Sequence, residues 1–232
     1  MTLATLPDRD AVDAVIFDAG GVLLLPDAEL GRAAVAGLRD ESAPSDWHRA
    51  HYAALIALEQ MEPIDWLAHR RVIAAEIGVR DEHLDAAATL IDDVMTSTWV
   101  AVGGAADTLR ALAAANYKLA VVSNAWGTMA QWLEQHKVCS VTDGELPLVG
   151  AVIDSHVVGI EKPDPRIFQL ALDALDVVPE RSVYVGDTVR FDVQGALAAG
   201  LRPVHLDPYG FCDGPHSHIA SLAELTEWLT AD

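Results

Sequence analysis

The sequence predicts an α/β fold: a doubly wound parallel sheet with an all-helical unit inserted after the first strand. Short β-branched runs recur along the chain and end at glycine or at small polar residues. After residue 100 these runs alternate with segments of helical period, which is typical of βαβ units in a parallel sheet. Between residues 26 and 99 only helical patterns occur. We therefore expect an α/β core formed by residues 1–25 and 100–232, and a helical unit formed by residues 26–99.

The predicted strands are short and apolar. The first, Ala14–Phe17, ends at Asp18 and is followed by the Gly20-Gly21 pair, which indicates a tight turn. Fully apolar strands of this kind belong to parallel sheets that are covered on both faces. Further strands are predicted at Lys118–Val122, Ala151–Ser155, Ser182–Val185 and Pro203–Leu206.

Helical patterns fill the segments between the strands. In the inserted unit they predict helices at Glu29–Asp40, Pro44–Met61, Ile64–Ile77 and Asp81–Met95. Ser42 is the expected cap of the second helix, and Gly78 is the expected end of the third. In the core, helices are predicted at Asp107–Ala115, Gly127–His136, Pro165–Leu175, Phe191–Ala199 and Ser221–Leu229.

Composition and charge narrow the possible partners. The 232 residues include 35 acidic and 15 basic side chains, and the formal net charge is −20. Nucleic acids and anionic membranes are bound through basic patches, so we expect neither as a partner. No apolar run approaches the roughly 18 residues of a membrane span. The first thirteen residues contain no signal-peptide core, and two cysteines make no disulfide framework. We expect a cytoplasmic protein, a monomer or a homodimer.

Polar residues follow three of the predicted strands. They are Asp18, the pair Ser123-Asn124, and the pair Gly186-Asp187. Ligands of open parallel sheets bind beyond the carboxyl ends of the strands. Lys162, one of only three lysines, lies in a proline-flanked loop before the last of these strands. Carboxylates, a hydroxyl and an ammonium group together suit metal-assisted chemistry on a small anionic substrate.

Four segments carry a resemblance to a known family. They are Val15–Leu23 (VIFDAGGVL), Val121–Asn124 (VVSN), Lys162–Phe168 (KPDPRIF) and Gly186–Asp192 (GDTVRFD). In this order they resemble the four motifs of the haloacid dehalogenase superfamily, a group of hydrolases with an aspartate nucleophile. The resemblance covers nearly the whole chain. It implies a Rossmann-like core with a helical cap at residues 26–99.

The resemblance also implies a nucleophile and a metal site. Asp18 would attack the substrate and form a covalent acyl intermediate. In the phosphatase branch of the family, Mg²⁺ would be held by Asp18, Asp187 and the backbone carbonyl of Gly20. Asp192 would bind the ion through water or orient Lys162.

Substrate contacts are implied on both units. The Ser123 hydroxyl and nearby backbone amides, with Gly21 and Asn124 as binding residues, would hold phosphoryl oxygens. Lys162 would neutralise charge on the nucleophile and the transferring group. Arg49 lies where dehalogenases of the family use an arginine of the cap.

One position departs from the phosphatase pattern. Phosphatases of the family carry a second aspartate two residues after the nucleophile, as general acid and base, and this chain has Gly20 there. Such catalysis is typically worth about 10²–10⁴-fold in rate. The phosphatase hypothesis therefore predicts weak turnover, or turnover of good leaving groups, unless a cap residue such as His48 or His51 replaces the missing group. Each of these histidines taken singly is more typical of a solvated helix surface.

Three alternatives remain open to different degrees. A 2-haloacid dehalogenase needs no second aspartate, because halide leaves without a proton. Against it, Gly20 replaces the usual aromatic residue, and Asp187 and Asp192 are hard to explain without a cation. A phosphonate hydrolase needs a lysine in the cap, and all three lysines lie at residue 118 or later. A non-catalytic relative would explain Gly20 but not the other site residues.

A last feature lies near the end of the chain. Cys212, His216 and His218 fall within seven residues and carry soft metal ligands. Their spacing matches no tetrahedral metal motif. The sequence therefore favours a polar loop around Pro215.

Overall fold

A computed structural model describes residues 6–40, 42–43 and 46–231. The chain divides into two compact units, Met1–Leu24 with Ala101–Asp232 and Leu25–Val100. Each boundary lies one residue from the position expected from the sequence. We call the first the core unit and the second the helical unit.

The described residues contain eight strands and ten α-helices. The strands are β1 (Ala14–Phe17), β2 (Leu24–Pro26), β3 (Trp99–Ala101), β4 (Lys118–Ser123), β5 (Ala151–Asp154), β6 (Ser182–Gly186), β7 (Arg202–Leu206) and β8 (Ser217–Ile219). The helices are α1 (Ala28–Ala34), α2 (Trp47–Glu59), α3 (Trp66–Glu76), α4 (Leu84–Ser97), α5 (Ala105–Ala114), α6 (Met129–Gln135), α7 (Ser155–Val158), α8 (Pro165–Leu175), α9 (Gln194–Ala198) and α10 (Leu222–Thr230). None of these helices combines the length and the apolar character needed to cross a membrane.

The core unit contains a six-stranded parallel sheet in the order β5-β4-β1-β6-β7-β8. The α/β fold with a parallel sheet is thus confirmed. β1 lies between β4 and β6, and Phe17 is in register with Val121 on one side and Val185 on the other. All four residues of β1 are fully buried. Ala14 and Ile16 pack in one core cluster with residues of α8, and the alternate residues Val15 and Phe17 point to the opposite face.

The structure adds elements that the sequence did not predict. β2 and β3 form a two-stranded sheet, and β8 extends the main sheet beyond β7. The helix predicted at Phe191–Ala199 is a π-helical turn, Val189–Val193, followed by α9. These pieces are only three to five residues long, so their side chains carry too little periodicity to predict them.

The helical unit buries its own core, which includes Trp47 and Ile91. α2 begins at Trp47, and its cap is Asp46, which accepts a hydrogen bond from the Arg49 amide. The prediction of Ser42 as the cap is therefore wrong, and the predicted start at Pro44 lies outside the described residues. An aspartate directly before the helix satisfies the free amides of its first turn, which Ser42 is too distant in the chain to reach.

Candidate active site

The carboxyl ends of three adjacent strands bring the predicted site residues of the core unit together. Asp18 follows β1, Ser123 ends β4, and Asp187 follows β6. Because β4, β1 and β6 are neighbours in one parallel sheet, these residues lie at the same edge. The Asp18 amide also donates a hydrogen bond to the Val185 carbonyl, which continues the pairing of β1 with β6 past the end of the strand.

Lys162 lies at the centre of this edge. Its Nζ atom is 2.9 Å from Oδ2 of Asp18 and 2.7 Å from Oδ1 of Asp192. It also donates to the Tyr184 hydroxyl at 3.1 Å. Burial alone would lower the pKa of Lys162, but Asp18 and Asp192 raise it above its ordinary value. The ammonium group is therefore a fixed positive charge beside the predicted nucleophile.

Asn124 holds the backbone of Lys162. Its Nδ2 atom donates to the Lys162 carbonyl at 3.0 Å, and its Oδ1 atom accepts from the Lys162 amide at 2.7 Å. Both ends of the side chain are thus engaged with the backbone of one residue. These contacts position the lysine loop, and substrate binding by Asn124 stays a prediction.

Asp192 is bonded through both carboxylate oxygens. Oδ1 accepts from Lys162 and from the Tyr184 hydroxyl, at 2.7 and 3.0 Å. Oδ2 accepts from the amide and the hydroxyl of Thr188, at 3.0 and 2.5 Å. The side chain is almost completely buried. Of the two roles expected for Asp192, orienting Lys162 is the one that these contacts support.

Asp18 and Asp187 are buried acids with perturbed titration. Burial raises the pKa of Asp18 to about 6, although Lys162 acts in the opposite direction. Burial, and then the charges of Asp192 and Asp18, raise the pKa of Asp187 well above its ordinary value. Oxygen atoms of all three carboxylates lie within 4.8 Å of one another. One ammonium group does not balance three carboxylates, and hard oxygen donors suit Mg²⁺, so these residues fit a divalent cation.

The glycine turn after Asp18 is packed against Asp187. The Ala19 amide donates to Oδ1 of Asp18 at 2.7 Å. The Gly21 amide donates to the Leu24 carbonyl at 2.8 Å. Gly21 was predicted to bind substrate, but its amide is occupied in this way. Gly21 instead gives the Asp187 carboxylate space, because a Cβ atom there would lie 1.7 Å from Oδ2 of Asp187. Gly20 is partly exposed and brings no side chain to the site.

The predicted residues of the helical unit have local partners. Arg49, on α2, donates to Oε2 of Glu76 on α3 at 2.8 Å, and both side chains are exposed. His51 is buried, not solvated as the sequence favoured, because it lies on the inner face of α2. Burial lowers the pKa of His51 to about 3, so its ring is neutral near pH 7 and is a poor proton donor.

Tyr184 is a site residue that the sequence reasoning missed. It lies within β6 and is fully buried, and its hydroxyl donates to the Val122 carbonyl at 3.1 Å. The same hydroxyl contacts Lys162 and Asp192. A tyrosine in the middle of a buried strand needs a partner for its hydroxyl, and that signal was present in the sequence.

Comparison with known proteins agrees with these features. The model of the haloacid dehalogenase-like hydrolase family matches residues 12–200. The bovine (Bos taurus) haloacid dehalogenase-like hydrolase domain-containing protein 3 is 34% identical over 170 residues, which are 69% of this chain and 65% of that protein. Phosphoserine phosphatase of Thermus thermophilus is 52% identical over 56 residues, 24% of this chain and 22% of that enzyme. The chain thus spans less than two thirds of the length of either relative.

A solved structure matches nearly the whole chain. It is the crystal structure of a dehalogenase with an intermediate complex, at 26% identity and a TM-score of 0.63, covering 98% of this chain and 100% of that one. The relatives thus include both phosphatases and dehalogenases. Since the family model matches residues 12–200, which are most of the chain, the chain belongs to the haloacid dehalogenase-like hydrolases.

Proposed function

We propose that this hydrolase is a Mg²⁺-dependent phosphatase that acts on a small phosphorylated metabolite through an aspartyl-phosphate on Asp18. The observation that carries the proposal is the cluster of Asp18, Asp187 and Asp192 around a single lysine. A site that only displaced halide would have no need of this excess of carboxylates. A phosphoryl group with a divalent cation supplies a use for them.

Residues of the core unit support the first step. Asp18 Oδ2 is held by Lys162, and Oδ1 is held by the Ala19 amide, so the carboxylate has a fixed direction. An oxygen of Asp18 attacks phosphorus, the bond from phosphorus to the leaving oxygen breaks, and that oxygen takes the electron pair. Asp18, Asp187 and the Gly20 carbonyl would hold the cation, which supplies charge neutralisation at the phosphoryl oxygens. Ser123 lies at the same strand edge and is proposed as a phosphoryl ligand.

Proton transfer sets the limit on the rate. Gly20 provides no acid for the leaving oxygen and no base for the water that hydrolyses the aspartyl-phosphate. Leaving groups that are stable as anions are therefore favoured. We expect accumulation of the aspartyl-phosphate, seen as a burst of product followed by slow turnover.

The experiment is a panel of aryl and alkyl phosphates assayed with Mg²⁺ and with a chelator, with Asp18→Asn as the control. We expect Mg²⁺-dependent release of phosphate, a faster initial burst from phosphates with better leaving groups, and no activity in Asp18→Asn. Linear kinetics from the first turnover would contradict the slow second step. Activity in a clean Asp18→Asn preparation would contradict the mechanism.

A second candidate, a 2-haloacid dehalogenase, is favoured by the match to a dehalogenase over nearly the whole chain and by Gly20, because halide leaves without a proton. The same preparation is therefore assayed for halide release from 2-haloacids. Halide release that persists in chelator, without phosphatase activity, would establish this alternative. Absence of both activities would favour a relative that binds its ligand without turnover.

A further inference from the structure

A second cluster of metal-ligand residues lies in the core unit, apart from the three aspartates. It consists of His205 on β7, Cys212 and His216 in the loop that follows, and His218 on β8. One ligand atom from each lies within 4.8 Å of the others. We propose that these four residues bind a zinc ion in a closed site that ties β7, the loop and β8 together.

The sheet explains why the sequence did not reveal this site. Cys212, His216 and His218 alone have no recognised spacing, and the fourth ligand lies on a neighbouring strand. His205 and His218 are register partners in the parallel pair β7 and β8, so their side chains lie on the same face. β8 was not predicted, and without it His205 had no link to the other three. The sequence favoured a polar loop at these residues, and the register of β7 with β8 brings His205 beside it.

The distances are close to those of a tetrahedral site. Nε2 of His216 is 3.1 Å from Nδ1 of His205 and 3.7 Å from Sγ of Cys212. Zinc bonds of about 2.0–2.1 Å to nitrogen and about 2.3 Å to sulfur place tetrahedral ligands about 3.3 Å apart for two nitrogens and about 3.6 Å apart for nitrogen and sulfur. Two of the distances between ligand atoms are thus already close to those of a tetrahedral zinc site.

Hydrogen bonds orient two of the rings for binding. Nε2 of His205 is 3.1 Å from the Asp187 carbonyl, and Nε2 of His218 is 3.2 Å from the Gly214 carbonyl. A carbonyl only accepts, so each Nε2 carries the proton and each Nδ1 keeps its lone pair for a metal. Support of the second nitrogen by a backbone carbonyl is a regular feature of metal-binding histidines.

The loop is folded so as to present Cys212. Both carboxylate oxygens of Asp207 accept backbone amides, from Phe211 at 3.0 Å and from Cys212 at 2.8 Å. Cys212 is a thiol, not half of a disulfide. Zinc binding would release the Cys212 thiol proton to solvent. Because Nδ1 of His205 carries no proton, Nε2 of His216 carries the proton between these two atoms in the metal-free chain. On zinc binding this proton would move to Nδ1 of His216.

The ligand set selects the metal and the role. A thiolate with three imidazoles favours zinc over Mg²⁺, which prefers oxygen. Four protein ligands leave no open position, so the role is structural. His205 also donates to the carbonyl of Asp187. The ion would therefore stabilise the backbone position of Asp187, whose carboxylate belongs to the candidate active site.

The test uses the full chain after removal of metal with a chelator. Zinc is added back, and Co²⁺ replaces it for spectroscopy. We expect one tightly held zinc per chain, a higher Tm with zinc, and a thiolate-to-cobalt charge-transfer band with tetrahedral visible bands. Asp18→Asn should keep the band, because oxygen ligands do not produce it. If the wild-type chain shows no thiolate band and no zinc-dependent rise in Tm, the proposal is wrong.

Variants identify the ligands. Cys212→Ser should remove the thiolate-to-cobalt band. It should also weaken zinc binding by more than roughly 100-fold, which is the largest loss expected when a residue that only hydrogen-bonds to a ligand is removed. His216→Gln should also weaken zinc binding. This variant replaces Cys212→Ser in the test if Cys212→Ser does not fold. Cys139→Ala is the matched control, because Cys139 is the other cysteine and lies outside the cluster. Equal zinc affinity in Cys212→Ser and Cys139→Ala would overturn the assignment.

Discussion

Gly21 packs so closely against Asp187 that a Cβ atom at residue 21 would lie 1.7 Å from the Oδ2 atom of that carboxylate. Gly21 also has a φ of 74°, in the left-handed region that side chains rarely adopt. Two independent constraints thus require glycine here. Through this contact, the turn that follows β1 packs directly against the Asp187 carboxylate.

Gly21→Ala should therefore damage both stability and activity. We expect a loss of about 1–3 kcal/mol in the free energy of unfolding from backbone strain, and a larger loss of activity because Asp187 is displaced. Urea unfolding and aryl phosphate hydrolysis measure the two effects. Gly103→Ala is the control, because a Cβ atom there meets nothing within 4 Å. Similar behaviour of the two variants would show that the contact is unimportant.

Tyr184→Phe tests the support of Lys162. The hydroxyl contacts Lys162, Asp192 and the Val122 carbonyl, so its removal leaves a buried carbonyl without this donor. We expect a loss of about 1 kcal/mol in stability together with a lower kcat.

Tyr117→Phe is the matched control for that variant. Its hydroxyl donates to the Leu229 carbonyl at 2.9 Å and is no part of the candidate site. We expect a comparable loss of stability with kcat unchanged. A normal kcat in Tyr184→Phe would remove this residue from the site.

Asn124 has two possible roles, binding substrate and positioning Lys162, and kinetics can separate them. If Asn124 bound substrate, Asn124→Ala would raise KM. Because its side chain is hydrogen-bonded to both the amide and the carbonyl of Lys162, we expect kcat of Asn124→Ala to fall while KM changes little. A rise in KM with kcat intact would restore the substrate-binding role.

These cases show what the sequence could and could not predict. Asp18 and Asp187 were found because the ends of parallel strands meet at one edge, and that rule needs only strand positions. Lys162 was singled out by its proline-flanked loop and not by a strand end. The partner of Asn124 lies 38 residues away in a loop, and no local pattern encodes that contact. Likewise, β8 is three residues long, and only its register with β7 places His218 beside His205.

Stability should depend on pH through Asp18. Its pKa is about 6 in the folded chain, raised by burial, and near 3.8 when unfolded. The folded state therefore binds the proton more tightly, and stability falls as pH rises from about 4 to about 6. In chelator, the unfolding free energy of the wild type relative to Asp18→Asn should fall by up to ~3 kcal/mol between pH 4 and pH 7.

Unfolding in urea at several pH values measures this difference. Mg²⁺ at pH 7 should restore stability to the wild type more than to Asp18→Asn. Asp143→Asn, at an exposed position, is the control: because it keeps Asp18, its stability should follow that of the wild type across this pH range. A wild type that gains stability relative to Asp18→Asn as pH rises would contradict the sign of the pKa shift.

Gly20→Asp tests the missing proton donor. A carboxyl group at residue 20 would protonate the leaving oxygen and then activate water, which is worth about 10²–10⁴-fold in rate. For the first step we expect a large gain with alkyl phosphates and a small gain with aryl phosphates, whose leaving groups need little protonation. The burst of product should also disappear, because hydrolysis of the aspartyl-phosphate is accelerated.

Steady-state and rapid-mixing assays on the folded variant measure both effects. The double variant Asp18→Asn/Gly20→Asp is the control, since an acid without the nucleophile should give no turnover. An unchanged rate for alkyl phosphates in Gly20→Asp would mean that another residue already supplies the proton. An unchanged rate combined with metal-independent halide release would instead favour the dehalogenase, because that reaction gains nothing from an acid at residue 20.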